Sequence, residues 1–123
     1  MSARVLLVDD DRAGLQALCE VLSGLEAKLF LAHSGEDALR LILKHEFAAV
    51  MLDVRLPGMD GFEVAGAIKA LKRTRHVPIV FMSSEEDRRR NPRRDSEIYL
   101  RKPLAPELVT AQMKSLLEHH VTQ

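Results

Sequence analysis

The chain has 123 residues, close to the commonest size of a single domain, and 46% of them are apolar, which allows a real core and excludes a disordered chain. Lys plus Arg equals Asp plus Glu at 18 each, so the formal net charge is zero, which argues against a dedicated nucleic-acid module, and one Tyr, four Phe and no Trp leave few surfaces for stacking bases. The single Cys19 rules out an internal disulfide and fits a reducing compartment; with no signal-peptide pattern and no apolar run near ~18 residues, a cytoplasmic location without a membrane span is expected.

Val5 to Val8 is a continuous apolar run that ends in acids, the pattern of a buried parallel strand. Leu15, Leu18, Val21, Leu22 and Leu25 follow at helical spacing, predicting a helix over roughly 12–23, with Cys19 as a small core residue. Lys28 to Leu31 reads as a second strand, and Ser34 with Asp37 three residues on opens a helix through Lys44. Ala48 to Leu52 is a third strand that again runs into an acid, Asp53. After the turn RLPGMDG, with Asp60 as a cap, a helix is expected with Phe62, Val64, Ala65, Ile68 and Leu71 on its inner side. Val77 to Met82 is a fourth strand and Ile98 to Arg101 a short fifth. Leu104, Leu108, Ala111, Met113, Leu116 and Leu117 then mark a final helix, with Pro106 in its first turn. Strand and helix alternate, so an α/β fold with a five-stranded parallel sheet and helices on both faces is expected over the single domain 1–123. Sites in such sheets lie at the carboxyl ends of the strands.

Asp9, Asp10 and Asp53 all follow apolar strands. On neighbouring strands they would lie about 4.8 Å apart and converge, which raises their pKa values or recruits a cation. Oxygen ligands with no His or Cys nearby favour Mg²⁺. A carboxylate beside such an ion is a competent nucleophile toward phosphorus, and the group it accepts would need a hydroxyl and a cation on its other oxygens. Ser83 and Lys102 end the fourth and fifth strands on the same rim.

These motifs together resemble the receiver domain of two-component response regulators, of the chemotaxis type. LLVDDD is similar to the family's acidic pair, MLDVRLPGMDG to its phosphoacceptor loop, PIVFMSS to its switch-hydroxyl strand and YLRKPL to its lysine-proline motif. The resemblance implies a flavodoxin-like strand order 2-1-3-4-5 and Asp53 as phosphoacceptor. It implies Mg²⁺ held by Asp9, Asp10, Asp53 and the Arg55 backbone carbonyl. Ser83 would bind the phosphoryl group, Lys102 would pair with it, and Ser83 with Tyr99 would form the conformational switch. The bond before Pro103 would be cis. A sensor histidine kinase or phosphotransfer protein would be the partner, and no enzymatic turnover beyond self-phosphorylation and slow self-dephosphorylation is expected.

Competing readings are a phosphorylation-independent pseudo-receiver that acts as an interaction module, and a haloacid-dehalogenase-type phosphatase using Asp9 and Asp11. Ala13 stands where that phosphatase motif usually has Thr or Val. Arg55 and Glu85 would flank the phosphoryl entrance and could close over it as a salt-bridged lid, slowing dephosphorylation.

The chain departs from the family between Ser84 and Glu97, where no aliphatic or aromatic residue occurs and Pro92 interrupts the middle. A helix without an apolar stripe cannot dock on a sheet, so the family's fourth helix is expected to be lost or irregular. The run RRRNPRR looks like a polyanion grip, but its five arginines face Glu85, Glu86, Asp87, Asp95 and Glu97, which makes a self-paired loop the expected reading and nucleic-acid binding the minority one. Without a covering helix, the face of the fourth strand, fifth strand and last helix would be open to a second copy or a partner. The chain ends where a linker to an output domain usually begins, and its sequence leaves open whether residues 1–123 are a whole protein or a fragment of a longer regulator.

Overall fold

The computed structural model describes residues 3–84, 86–87 and 98–122. In chain order they form β1 (Ala3–Val8), α1 (Arg12–Leu22), β2 (Ala27–Ala32), α2 (Gly35–Lys44), β3 (Ala49–Asp53), α3 (Gly61–Ala70), β4 (Ile79–Ser83), β5 (Ile98–Arg101) and α4 (Pro106–Thr122). The strands make one parallel sheet in the order β2-β1-β3-β4-β5. Fold class and strand order match the expectation.

Strand alternation divides the core into two layers. Leu6, Val8, Val50, Leu52 and Phe81 point to one face and meet Ile42 of α2 and Val64 and Ile68 of α3. Val5, Leu7, Met51, Val80 and Met82 point to the other, against Leu15, Leu18 and Leu22 of α1 and Val109, Met113 and Leu117 of α4. Every residue of β3 and β4 is buried, which explains why these strands read as unbroken apolar runs.

The helix starts follow local chemistry. Asp11 caps α1 by accepting from the Ala13 N–H, and Ser34 caps α2 by accepting from that of Asp37. Asp60 and Glu63 form a reciprocal capping box on α3. Gly61 cannot be replaced without distortion, because a Cβ there would stand 2.3 Å from the Asp53 carbonyl oxygen. That close approach folds α3 back directly beneath the end of β3.

One inner-face assignment, that of Leu71, is corrected. Leu71 ends α3 in extended geometry, outside the helical register, and is exposed. In α4, Leu108 and Ala111 face outward, and the buried stripe is Val109, Met113 and Leu117 at four-residue spacing, a phase set by Pro106 as first residue. The expected loss of the family's fourth helix falls mainly on residues 88–97, outside the described residues; Glu86 and Asp87 are helical.

Candidate functional site

The carboxyl ends of β1, β3, β4 and β5 form one rim. Asp9, Asp53 and Lys102 continue the strand alternation of Leu7, Met51 and Leu100, all of which belong to the α1–α4 face. This shared parity brings the three side chains together. Lys102 donates to Asp53 Oδ2 and its Nζ lies 3.5 Å from Asp9 Oδ2. Both aspartates are buried, at 6% and 4% exposure. Two buried carboxylates this close would repel strongly, and the shared ammonium offsets that cost.

The backbone fixes both acids. Asp9 Oδ1 accepts from the Asp11 N–H at 3.0 Å, and Asp53 Oδ1 accepts from the Arg55 N–H at 2.8 Å. Burial, with the neighbouring Asp53 charge, holds the Asp9 carboxyl above its ordinary range, against the pull of its backbone hydrogen bond and of Lys102. Burial would lower the Lys102 ammonium, but the hydrogen bond and charge of Asp53 and the charge of Asp9 outweigh it, and the net shift is upward.

Ser83 is 1% exposed, and among the described residues its hydroxyl has no hydrogen-bond partner. A buried hydroxyl left unpaired is costly, and such atoms are rare in folded proteins. Its backbone carbonyl accepts from the Lys102 N–H at 2.8 Å, which ties the two residues across β4 and β5. Tyr99 lies on the other face of the sheet, its ring stacked on Phe81 at 5.2 Å. The Lys102–Pro103 bond is cis.

An open cleft of about 760 Å³ covers this rim, bordered by Asp9, Asp10, Asp53, Arg55, Asp87 and Lys102 among others. Asp10 is exposed at the edge, and among the described residues no three His, Cys, Asp or Glu side chains converge into a ready metal cage. The donor chemistry nevertheless fits Mg²⁺. Two buried carboxylates already hold one cation, the Lys102 ammonium, and Mg²⁺ typically takes only one or two carboxylates while keeping several waters.

Glu85 lies outside the described residues. The carboxylate that Arg55 meets is Asp87, whose Oδ1 accepts from Arg55 Nε at 2.6 Å. Asp87 is itself placed by Ser84, whose hydroxyl accepts from the Asp87 N–H at 3.1 Å and donates to Asp87 Oδ2 at 2.9 Å. Counting Asp87 with the charges of a solvated loop missed this role. The signal was present as Ser84 with an acid three residues on, the same spacing that predicted the Ser34 cap. Asp11, the second acid required by the phosphatase reading, caps α1 instead.

A parallel sheet of this order with two buried acids and a lysine at its rim is the arrangement that the receiver resemblance implies. The response regulator receiver domain family matches residues 5–114, and the chain belongs to that family. It is 33% identical over 119 residues to response regulator PleD of Caulobacter vibrioides, covering 94% of this chain and 26% of that protein. It is 35% identical over 120 residues to response regulator MprA of Mycobacterium ulcerans, covering 95% and 51%. The chain thus spans between a quarter and about half the length of these relatives. Among solved structures, a response regulator from Chloroflexus aurantiacus superposes with a TM-score of 0.86 at 29% identity, covering 96% of this chain and 99% of that one. Chemotaxis response regulator CheY4 of Vibrio cholerae superposes at 0.84 and 26% identity, covering 95% and 100%. The protein is therefore a response-regulator receiver domain of two-component signalling, and among its described residues no helix is long and apolar enough to cross a membrane.

Proposed function

We propose that this receiver domain accepts a phosphoryl group on Asp53 from a histidine kinase or phosphotransfer protein and uses it to switch a protein-interaction surface. The observation that carries the reading is the set at the rim: a buried carboxylate fixed by a backbone N–H, a lysine against it, and, one strand away, a buried hydroxyl with no partner among the described residues. Asp53 Oδ2 attacks phosphorus as the bond from phosphorus to the donor's imidazole nitrogen or acyl oxygen breaks, and the leaving group takes the electron pair. Lys102 then turns from the carboxylate to the new phosphoryl oxygens, and the Ser83 hydroxyl gains the partner it lacks. Asp9, Asp10, Asp53 and the Arg55 backbone carbonyl would hold Mg²⁺, which supplies positive charge against the phosphoryl oxygens.

The Ser83 movement reaches Tyr99 through β4 and β5, and phosphorylation shifts the population between two conformers. The output face is that of β4, β5 and α4, where Leu108 stands 62% exposed beside a hollow lined by Leu100 and Val109. A second copy or a downstream protein would bind there. Treating the chain with acetyl phosphate and Mg²⁺ should add the mass of one phosphoryl group, and Asp53→Asn should abolish the gain. A wild-type chain that takes up no phosphoryl would favour the pseudo-receiver reading.

A further inference from the structure

Among the described residues, the cleft is lined by seven acidic side chains and two basic ones, Arg55 and Lys102. Phosphodonors are anions, so such a lining repels the molecules that would react there. Lys102 is engaged by Asp53 and Asp9. Among the described residues Arg55 is the remaining cation of the lining, and Asp87 holds it.

The two partners in that ion pair are unequal. The Asp87 side chain is 9% exposed and fixed through both its backbone N–H and its Oδ2 by Ser84. The Arg55 side chain is 60% exposed, and its bond to Asp87 uses Nε. The buried, doubly tied carboxylate is the anchor, and the exposed guanidinium is the part that can move. Arg55 is also tied to the reacting carboxylate, because its own N–H donates to Asp53 Oδ1. One short segment therefore carries both the acceptor and a cation able to reach its surroundings.

We propose that Asp87 is a positioning residue that fixes the Arg55 guanidinium and offsets its charge at the mouth of the cleft, so that the Ser84–Asp87–Arg55 chain works as a latch on the rate of phosphoryl uptake. The inference rests on Asp53 being the acceptor. Asp87 and a phosphodonor oxygen compete for the same guanidinium charge, which Asp87 engages through Nε–H. Breaking the latch gives an anionic donor a charge-assisted hydrogen bond at the mouth of the cleft.

The test is the rate of mass gain from acetyl phosphate at saturating Mg²⁺ in four chains: wild type, Asp87→Asn, Arg55→Ala and the double variant. In each, the phosphorus–oxygen bond to acetate breaks, the bond to Asp53 forms and acetate leaves. Asn keeps the shape of Asp87 and an acceptor for Ser84, so the fold is retained. Asp87→Asn should react about fivefold faster, the size of change that freeing one exposed ion pair makes. The gain should vanish in the Arg55→Ala background. A gain that persists without Arg55 would reduce Asp87 to a general repulsive charge and overturn the latch, as would an unchanged rate in Asp87→Asn. The Arg55 Nε–H resonance gives a second readout that does not depend on phosphorylation. It should be protected from exchange in the wild type and solvent-like in Asp87→Asn; a solvent-like signal in the wild type would also overturn the latch. If the wild type takes up no phosphoryl while this resonance is protected, the failure lies with Asp53 as acceptor and not with the ion pair.

Discussion

The pattern Ser-x-x-Asp occurs at Ser34–Asp37 and again at Ser84–Asp87, and the two have different fates. In both, the serine hydroxyl accepts from the N–H of the aspartate at 3.1 Å. Asp37 then pairs with Arg40 one turn along, with side chains 45% and 65% exposed. Asp87 instead reaches Arg55, 32 residues away in sequence, and is buried. Local chemistry decides that each serine caps its segment. Position relative to the cleft decides whether the carboxylate left over is a solvated surface charge or a part of the site.

Substitution with alanine should expose the difference most clearly. Asp87→Ala removes a buried acceptor of several hydrogen bonds and should destabilise the fold by about 2 kcal/mol, whereas Asp37→Ala should cost about 0.5 kcal/mol. Urea midpoints at constant slope would measure both, and equal losses would break the contrast.

Acid titration sharpens it. Burial alone would raise the Asp87 carboxyl, but the hydrogen bonds from Arg55 and Ser84 outweigh it and hold the group below its ordinary range. With the folded value below the unfolded one, its contribution is complete above about pH 4 and is lost as pH falls through the folded value. Asp87→Asn should therefore flatten the acid limb of the stability curve below about pH 4. A limb that is unchanged in that variant would mean the carboxylate is as solvated as it is when unfolded.

The smallest effect belongs to the exposed pair. Arg40→Ala should change stability by no more than about 0.5 kcal/mol, and the change should shrink further in 1 M salt. A larger, salt-resistant loss would show that the Ser34 segment is not the solvated control it is taken to be.

Much of this molecule is legible in its sequence because the relevant signals are local or periodic. Apolar runs ending in Asp9, Asp53 and Ser83 place those residues at strand ends, and the parity of Leu7, Met51 and Leu100 sets Asp9, Asp53 and Lys102 on one face. Asp60 and Ser34 announce their helices by spacing alone. What resisted reading depended on phase or distance. Leu71 fits the inner stripe of α3 only if the helix continues through it, and it does not. Leu108 and Val109 are neighbours of equal apolarity, and only the start at Pro106 decides which faces the sheet. The Arg55–Asp87 contact crosses from the loop after β3 to the helical residues after β4, and no periodicity links those positions.

The central claim, that Asp53 is the phosphoacceptor, is tested most directly by trapping the acyl phosphate. After reaction with acetyl phosphate and Mg²⁺, borohydride reduces an aspartyl phosphate to homoserine, and peptide sequencing locates it. Homoserine at position 53 is the predicted result. Homoserine at Asp9 or Asp10 instead, or none at any position in a chain that has gained phosphoryl mass, would contradict it.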